Sequence, residues 1–128
     1  FRFVDVPSRP VPSLLQGFSA PVRLTIDLSD RDLEFLVAND MDLFNRWQSA
    51  NVYATRTLIA NVELLKQGKR ATRGLAFAKA LALAIADKNL NPAYRAELLR
   101  LPSQADIARE IGRNVDPDLV YRAHSHLM

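Results

Sequence analysis

The sequence predicts a mainly α-helical chain: an irregular stack of antiparallel helical hairpins, preceded by two β-strands. Three observations lead there. Across 42–68 the apolar residues Phe44, Trp47, Ala54, Leu58, Val62 and Leu65 recur at helical spacings, so they share one face. Helix-capping residues recur along the rest of the chain with short stretches between them, and short loops make antiparallel neighbours. Ahead of the first of them, Val22, Leu24, Ile26 and Leu28 alternate with polar residues, the period of a strand.

Taken in order, residues 1–6 mix Phe1, Phe3, Val4 and Val6 with Arg2 and Asp5, roughly a strand. Pro7, Pro10 and Pro12 then exclude helix or central strand through Val11. The alternation over 22–28 gives the second strand. Two strands do not make a stable sheet alone. Their partners are expected upstream or from another chain, and since Phe1 opens inside a strand-like stretch, the sequence is expected to be a piece of something longer.

Ser29 with Asp32 has the form of a capping box, and a short helix follows with Leu33, Leu36 and Val37 inward. Asn39, Asp40 and Met41 break it. Asp42 caps the long helix, whose second stripe of Val52, Thr55 and Ile59 widens its apolar face. A helix apolar over that much of its surface is packed on two sides, so it is the post for its neighbours. Gly68 among Lys66, Lys69 and Arg70 supplies a glycine stop in a basic last turn. Thr72 caps a third helix over 73–88, thinned by alanines at 76, 78, 80, 82, 84 and 86. Asn91-Pro92 opens a fourth, ending at Leu101-Pro102; Ser103 caps a fifth over 104–112, with Ile107, Ala108 and Ile111 inward. Asp116-Pro117 opens a last helix, still running at Met128. No fixed repeat period is present, and the surroundings of Trp47 do not fit a tetratricopeptide pattern.

Composition bounds the function. The chain has 128 residues, 48% hydrophobic and 24% charged, ordinary for a globular domain with a substantial core. No run of about 18 apolar residues predicts a membrane-spanning helix, and no signal-peptide pattern is seen. With no cysteine, disulfides and thiolate chemistry are excluded, which fits a reducing compartment. The net charge of +3 is spread along the chain, a weak footprint for nucleic acid.

Few residues invite chemistry. His124 and His126 are two apart, about 200° around a helix, and do not converge on one ion. Asp27, Asp30, Asp32 and Glu34 suit the N-terminus of a helix, where acids are favoured. Asp40 and Asp42 flank Met41 and lack the further oxygen ligands and glycine of a calcium loop, so capping accounts for them. Four glycines (17, 68, 74, 112) write no phosphate cradle, and no serine stands in a nucleophile elbow. Residues 103–123 begin like a helix-turn-helix, with Ile107, Ala108, Arg109, Glu110, Ile111 and Gly112. The frame then fails: Arg113 and Asp118 stand where apolar residues belong, and Asp116-Pro117 delays the second helix. A DNA-binding helix-turn-helix module and a free-standing helical scaffold for protein partners remain the alternatives.

Two stretches carry a resemblance. Residues 11–22, VPSLLQGFSAPV, resemble the signature that links a small β-sandwich to a helical domain in the aminopeptidase N family of bacterial type. Asp42-Leu43-Phe44-Asn45-Arg46-Trp47 resembles the D-x-F-N-R-W motif that opens a long helix just afterwards in that family. Leu43 replaces the family's usual Pro, and Gln48-Ser49 its Glu-Ala pair. The resemblance covers essentially the whole chain, with decreasing specificity through Leu101-Pro102-Ser103 and Asp116-Pro117.

The resemblance implies that 1–28 are the terminal strands of a β-sandwich domain. Residues 29–128 would be the N-terminal part of a C-terminal helical domain, the start of an α-superhelix. It implies a parent enzyme, a single-zinc metallopeptidase removing N-terminal residues from peptides in the cytoplasm. There the helical domain covers the active-site cavity. Family zinc is held by a His-Glu-x-x-His helix plus a downstream Glu, and a Gly-x-Met-Glu-Asn loop binds the substrate amine. Neither motif occurs here, and Glu34, Glu63, Glu97 and Glu110 lie outside any such pattern. No catalytic, cofactor-binding or metal residue is therefore expected in this chain, and the segment alone should be inactive. Its implied partners are the remaining domains of a monomeric parent and that parent's peptide substrates, with no nucleic acid and no membrane.

Overall fold

A computed structural model describes residues 4–18 and 26–128. A 3-10 turn at Gln16–Phe18 leads into six helices: α1 (Asp30–Asn39), α2 (Leu43–Lys66), α3 (Leu75–Ala86), α4 (Pro92–Leu98), α5 (Gln104–Ile111) and α6 (Pro117–Leu127). Of the strand expected over 1–6, residues 4–6 are irregular; of that over 22–28, residues 26–28 are too. Residues 1–3 and 22–25 lie outside the described residues, so the two β-strands are not seen among those described.

Capping sets most boundaries. Ser29 Oγ accepts from Asp32 N–H at 3.2 Å and the Asp32 carboxylate accepts from Ser29 N–H at 3.0 Å, so α1 opens on a reciprocal box. Asp42, Ser103 and Asp116 accept from backbone N–H groups of α2, α5 and α6 in the same way. Gly68 closes α2 in a left-handed conformation (φ 70°). Its N–H reaches Leu65 C=O at 2.9 Å and Lys69 N–H reaches Leu64 C=O at 3.0 Å, the paired bonds of a Schellman end.

Two boundaries depart from expectation. α3 starts at Leu75 behind Gly74 (φ 138°), not at Arg73 behind a Thr72 cap, and it ends at Ala86. The Asn61 side chain occupies both backbone polar groups of Arg73, at 2.9 Å each, and so holds that residue out of the helix. α4 ends at Leu98, short of Leu101. Its last turn tightens through Leu99 N–H to Ala96 C=O at 3.2 Å and Arg100 N–H to Glu97 C=O at 3.1 Å. Pro102 disfavours helical geometry at Leu101.

α2 touches every other helix, as a central post must. Its buried stripe includes Ala50, Ala54, Leu58 and Val62, but half of it is polar: Arg46, Ser49, Thr57 and Asn61, with Tyr53 among them. Phe44 and Val52, expected inward, are exposed at 37% each. The stripe serves two cores. The N-terminal half of α2 meets Leu33 and Val37 of α1, Phe77, Ala80, Leu81 and Ala84 of α3, and Leu98 of α4. Leu58 and Val62 in its C-terminal half meet Ile107, Val120 and Ala123. Leu127 packs against both cores.

Candidate functional site

The two stretches with the most specific sequence pattern meet in space. The Asp42 carboxylate accepts from Asn45 N–H at 2.9 Å and, through its other oxygen, from Gly17 N–H at 2.9 Å. These two backbone donors hold its pKa below the usual carboxylate value, because both favour the charged form. The Asn45 amide donates to Leu14 C=O at 2.8 Å and to Ser13 Oγ at 3.1 Å. Gly17 turns in the left-handed region (φ 64°), which aims its N–H at α2. The first turn of α2 thus clamps the segment that leads into it.

The rest of the motif faces the other way. Arg46 is 5% exposed; Nε donates to Val37 C=O at 2.7 Å and Nη2 to Ala38 C=O at 2.8 Å, which satisfies the end of α1. Nη1 lies 3.7 Å from the Asp87 carboxylate beyond α3. Leu43 C=O accepts from Tyr94 Oη of α4 at 2.6 Å. Trp47 is half-buried against the first core, its ring tilted over Phe44 at 5.8 Å between centroids. Residues 42–47 therefore tie together the leading segment, α1, the end of α3 and α4.

Two hollows flank this junction. One, about 340 Å³, lies beside Leu14, Leu33, Leu36, Asp40, Asn45 and Ser49. Asp40 Oδ1 accepts from Asp42 N–H at 2.9 Å, while its buried Oδ2 has no partner among the described residues. The other, about 380 Å³, runs from Trp47 and Asn51 to Glu97, Arg100, Pro102 and Asp106. Its charges are largely paired locally, Glu97 with Arg100 at 3.2 Å and Asp106 with Arg109 at 3.0 Å.

The other residues singled out in the sequence stay apart. His126 is exposed, and His124 Nε2 lies 3.1 Å from Pro102 C=O. Asp27 is exposed, Asp30 sits 3.5 Å from Arg56, and Glu34 accepts from Tyr53 Oη at 2.6 Å. Asp32 is held below the usual carboxylate range, first by Ser29 and then by Arg9 at 3.3 Å. On α6, Asp118 pairs with Arg122 at 3.8 Å. Among the described residues no three His, Asp or Glu side chains converge as a metal site. Sequence reading named Arg46 in the motif without its role, and it missed Tyr53, Asn61 and Tyr94. Arg46, Tyr53 and Asn61 fall within the helical period of the α2 stripe, but that period does not say what they bond, and Tyr94, on the short α4, carries no such periodic trace.

Comparison with known proteins agrees with this geometry. Residues 30–128 match the family described as a domain of unknown function (DUF3458_C) with ARM repeats. An aminopeptidase N from Caulobacter vibrioides is 36% identical over 126 residues, 98% of this chain and 14% of that protein. An aminopeptidase N from Escherichia coli is 36% identical over 117 residues, 91% of this chain and 13% of that protein. A crystal structure of Legionella pneumophila aminopeptidase A in complex with aspartic acid superposes with a TM-score of 0.75 at 28% identity. It covers 99% of this chain and 14% of that one. The chain thus spans about a seventh of the length of the relatives it matches, at 13–14%.

Proposed function

The chain belongs to the ARM-repeat family DUF3458_C, and from that premise we propose that it is a non-catalytic segment of a zinc-dependent aminopeptidase N. In this reading it joins the end of a β-sandwich domain, residues 1–28, to the helical domain that covers the active-site cavity. The observation that carries it is the clamp between 13–17 and 42–47. Both halves of the family-like pattern take part in one set of hydrogen bonds, and the similarity to aminopeptidases runs across both.

The parent's zinc would be held elsewhere. Zinc catalysis needs three protein ligands and an open position, and the described residues offer no such set. No chemical step is therefore assigned to them. The partners proposed are the remaining domains of the same polypeptide and the parent's peptide substrates, with neither nucleic acid nor membrane. The parent is proposed to act as a monomer in the cytoplasm, which the lack of cysteine suits.

The test compares the parent with the isolated chain. The full-length protein should carry zinc and hydrolyse aminoacyl reporters, and the isolated 128 residues should do neither. Stoichiometric zinc in the isolated chain, or a parent without a His-Glu-x-x-His helix upstream, would overturn the reading.

A further inference from the structure

We infer that the outward face of α3 is a docking surface for another part of the parent polypeptide, an inference that rests on the segment reading above. α3 has the sequence LAFAKALALAIA, in which Lys79 is the one polar side chain. Phe77, Ala80, Leu81 and Ala84 fill the first core. The opposite face carries Leu75, Ala76, Lys79, Ala82, Leu83 and Ala86, with Leu75 exposed at 70% and Leu83 at 66%. A helix that ends its layer against water turns a polar face outward; one apolar all round is a buried helix. Here the second apolar side has no cover among the described residues.

Three occupants compete. A bilayer surface fits poorly, because helices that lie on one carry several Lys or Arg beside their apolar face, and α3 carries Lys79 alone. A second copy would meet this face through a two-fold axis. Lys79 stands at its middle and would be brought against its own counterpart, with no acid of this chain paired to it among the described residues. Like charges facing each other across an interface are costly. The third occupant is the same polypeptide. The matched aminopeptidases are about seven times longer than this chain, which spans 14% of them. In repeat folds each unit buries its apolar face on a neighbour. The occupant is therefore an apolar element of the parent, close-packed over Ala76, Ala82 and Ala86, with a carboxylate in reach of the Lys79 ammonium.

The experiment places a photo-crosslinking amino acid at position 83 of the full-length protein, with position 125 on the exposed side of α6 as control. The expected result is an adduct within one polypeptide, from position 83 to peptides outside residues 1–128, well above the control. Lys79→Glu in the same protein should lower its yield. Adducts between two copies would overturn the inference in favour of self-association. An active, zinc-loaded parent in which position 83 labels as freely as position 125 would overturn it while leaving the segment reading intact. A native product of only these residues would remove the occupant and the segment reading together.

Discussion

Asn61 is fully buried, and both ends of its amide are held by one residue: Nδ2 donates to Arg73 C=O and Oδ1 accepts from Arg73 N–H, each at 2.9 Å. Truncation to Ala leaves two backbone groups without their partner. An unsatisfied buried group costs about 1–3 kcal/mol; Arg73 is exposed and water takes up part of that loss, so Asn61→Ala should lower the urea unfolding free energy by about the lower end of that range, with exchange speeding up first around Arg73. An unchanged midpoint would show that water replaces the amide at no cost. Trp47 is a milder case. It is half-buried rather than enclosed, so Trp47→Ala should cost less than the ~3–5 kcal/mol of a fully buried truncation. Its fluorescence should be partly quenchable by iodide; complete protection would sink that reading. Tyr53 gives a pH signature. Burial first, then the hydrogen bond to Glu34, raises its pKa far above the ordinary tyrosine value. The folded state thus holds this proton more tightly than the unfolded chain. The stability it contributes is complete below the unfolded pKa of about 10 and is lost as pH rises above it. Tyr53→Phe should flatten the alkaline decline in melting temperature, and an equally steep decline in the variant would assign it to other groups.

At the scale of the element, what was legible in the sequence is what local chemistry decides. Ser29, Asp42, Asn91, Ser103 and Asp116 each accept the backbone donors their cap positions require, and five helices begin where those residues stand. α3 was the exception because its start is set from a distance. Thr72 has the right chemistry, but Asn61 of α2 has already taken the Arg73 backbone, and Gly74 makes the turn. The polar half of the α2 stripe was illegible for a related reason. Hydropathy periodicity reads Arg46 and Asn61 as outward, whereas their partners are backbone atoms that no side-chain pattern announces. The junction was legible only as two separate stretches; that they touch follows from the Asn45 and Asp42 bonds. The start of α3 yields its own prediction. Gly74 sits at φ 138°, and a Cβ there would stand 2.6 Å from Leu127 Cδ1. Backbone strain of this kind costs of order 1–3 kcal/mol, and the Leu127 side chain must also move. Gly74→Ala should therefore destabilise by about that amount despite alanine's better helix propensity. A neutral or stabilising effect would mean that the turn relaxes freely.

For the molecule as a whole, the decisive feature is one helix serving two cores. α2 has 24 residues and so runs about 36 Å, longer than either core alone requires. Its N-terminal half closes the larger core with α1, α3 and α4. Its C-terminal half closes the smaller one, where Leu58 and Val62 meet Ile107, Val120 and Ala123. The segment reading makes this layout sensible, because stacked helical repeats draw much of their stability from neighbouring interfaces. In the isolated chain the two cores should not be equally stable. Less apolar surface is buried around α5 and α6, and hydrophobic stabilisation scales with that area. Ile107 is the one fully enclosed side chain of α5. α6 adds Val120 and Ala123, while Tyr121 and Met128 stay exposed at 57% and 88%. Local opening draws on regions with few buried apolar contacts. Native-state hydrogen exchange should therefore resolve a partial opening in which α5 and α6 lose protection together while 44–58 in α2 stays closed. Leu127→Ala should bring that opening nearer, because Leu127 packs against both cores. If α5, α6 and the first half of α2 exchange with one common free energy and one denaturant dependence, the cores are a single cooperative unit. The coupling through α2 and Leu127 would then outweigh the difference in buried area.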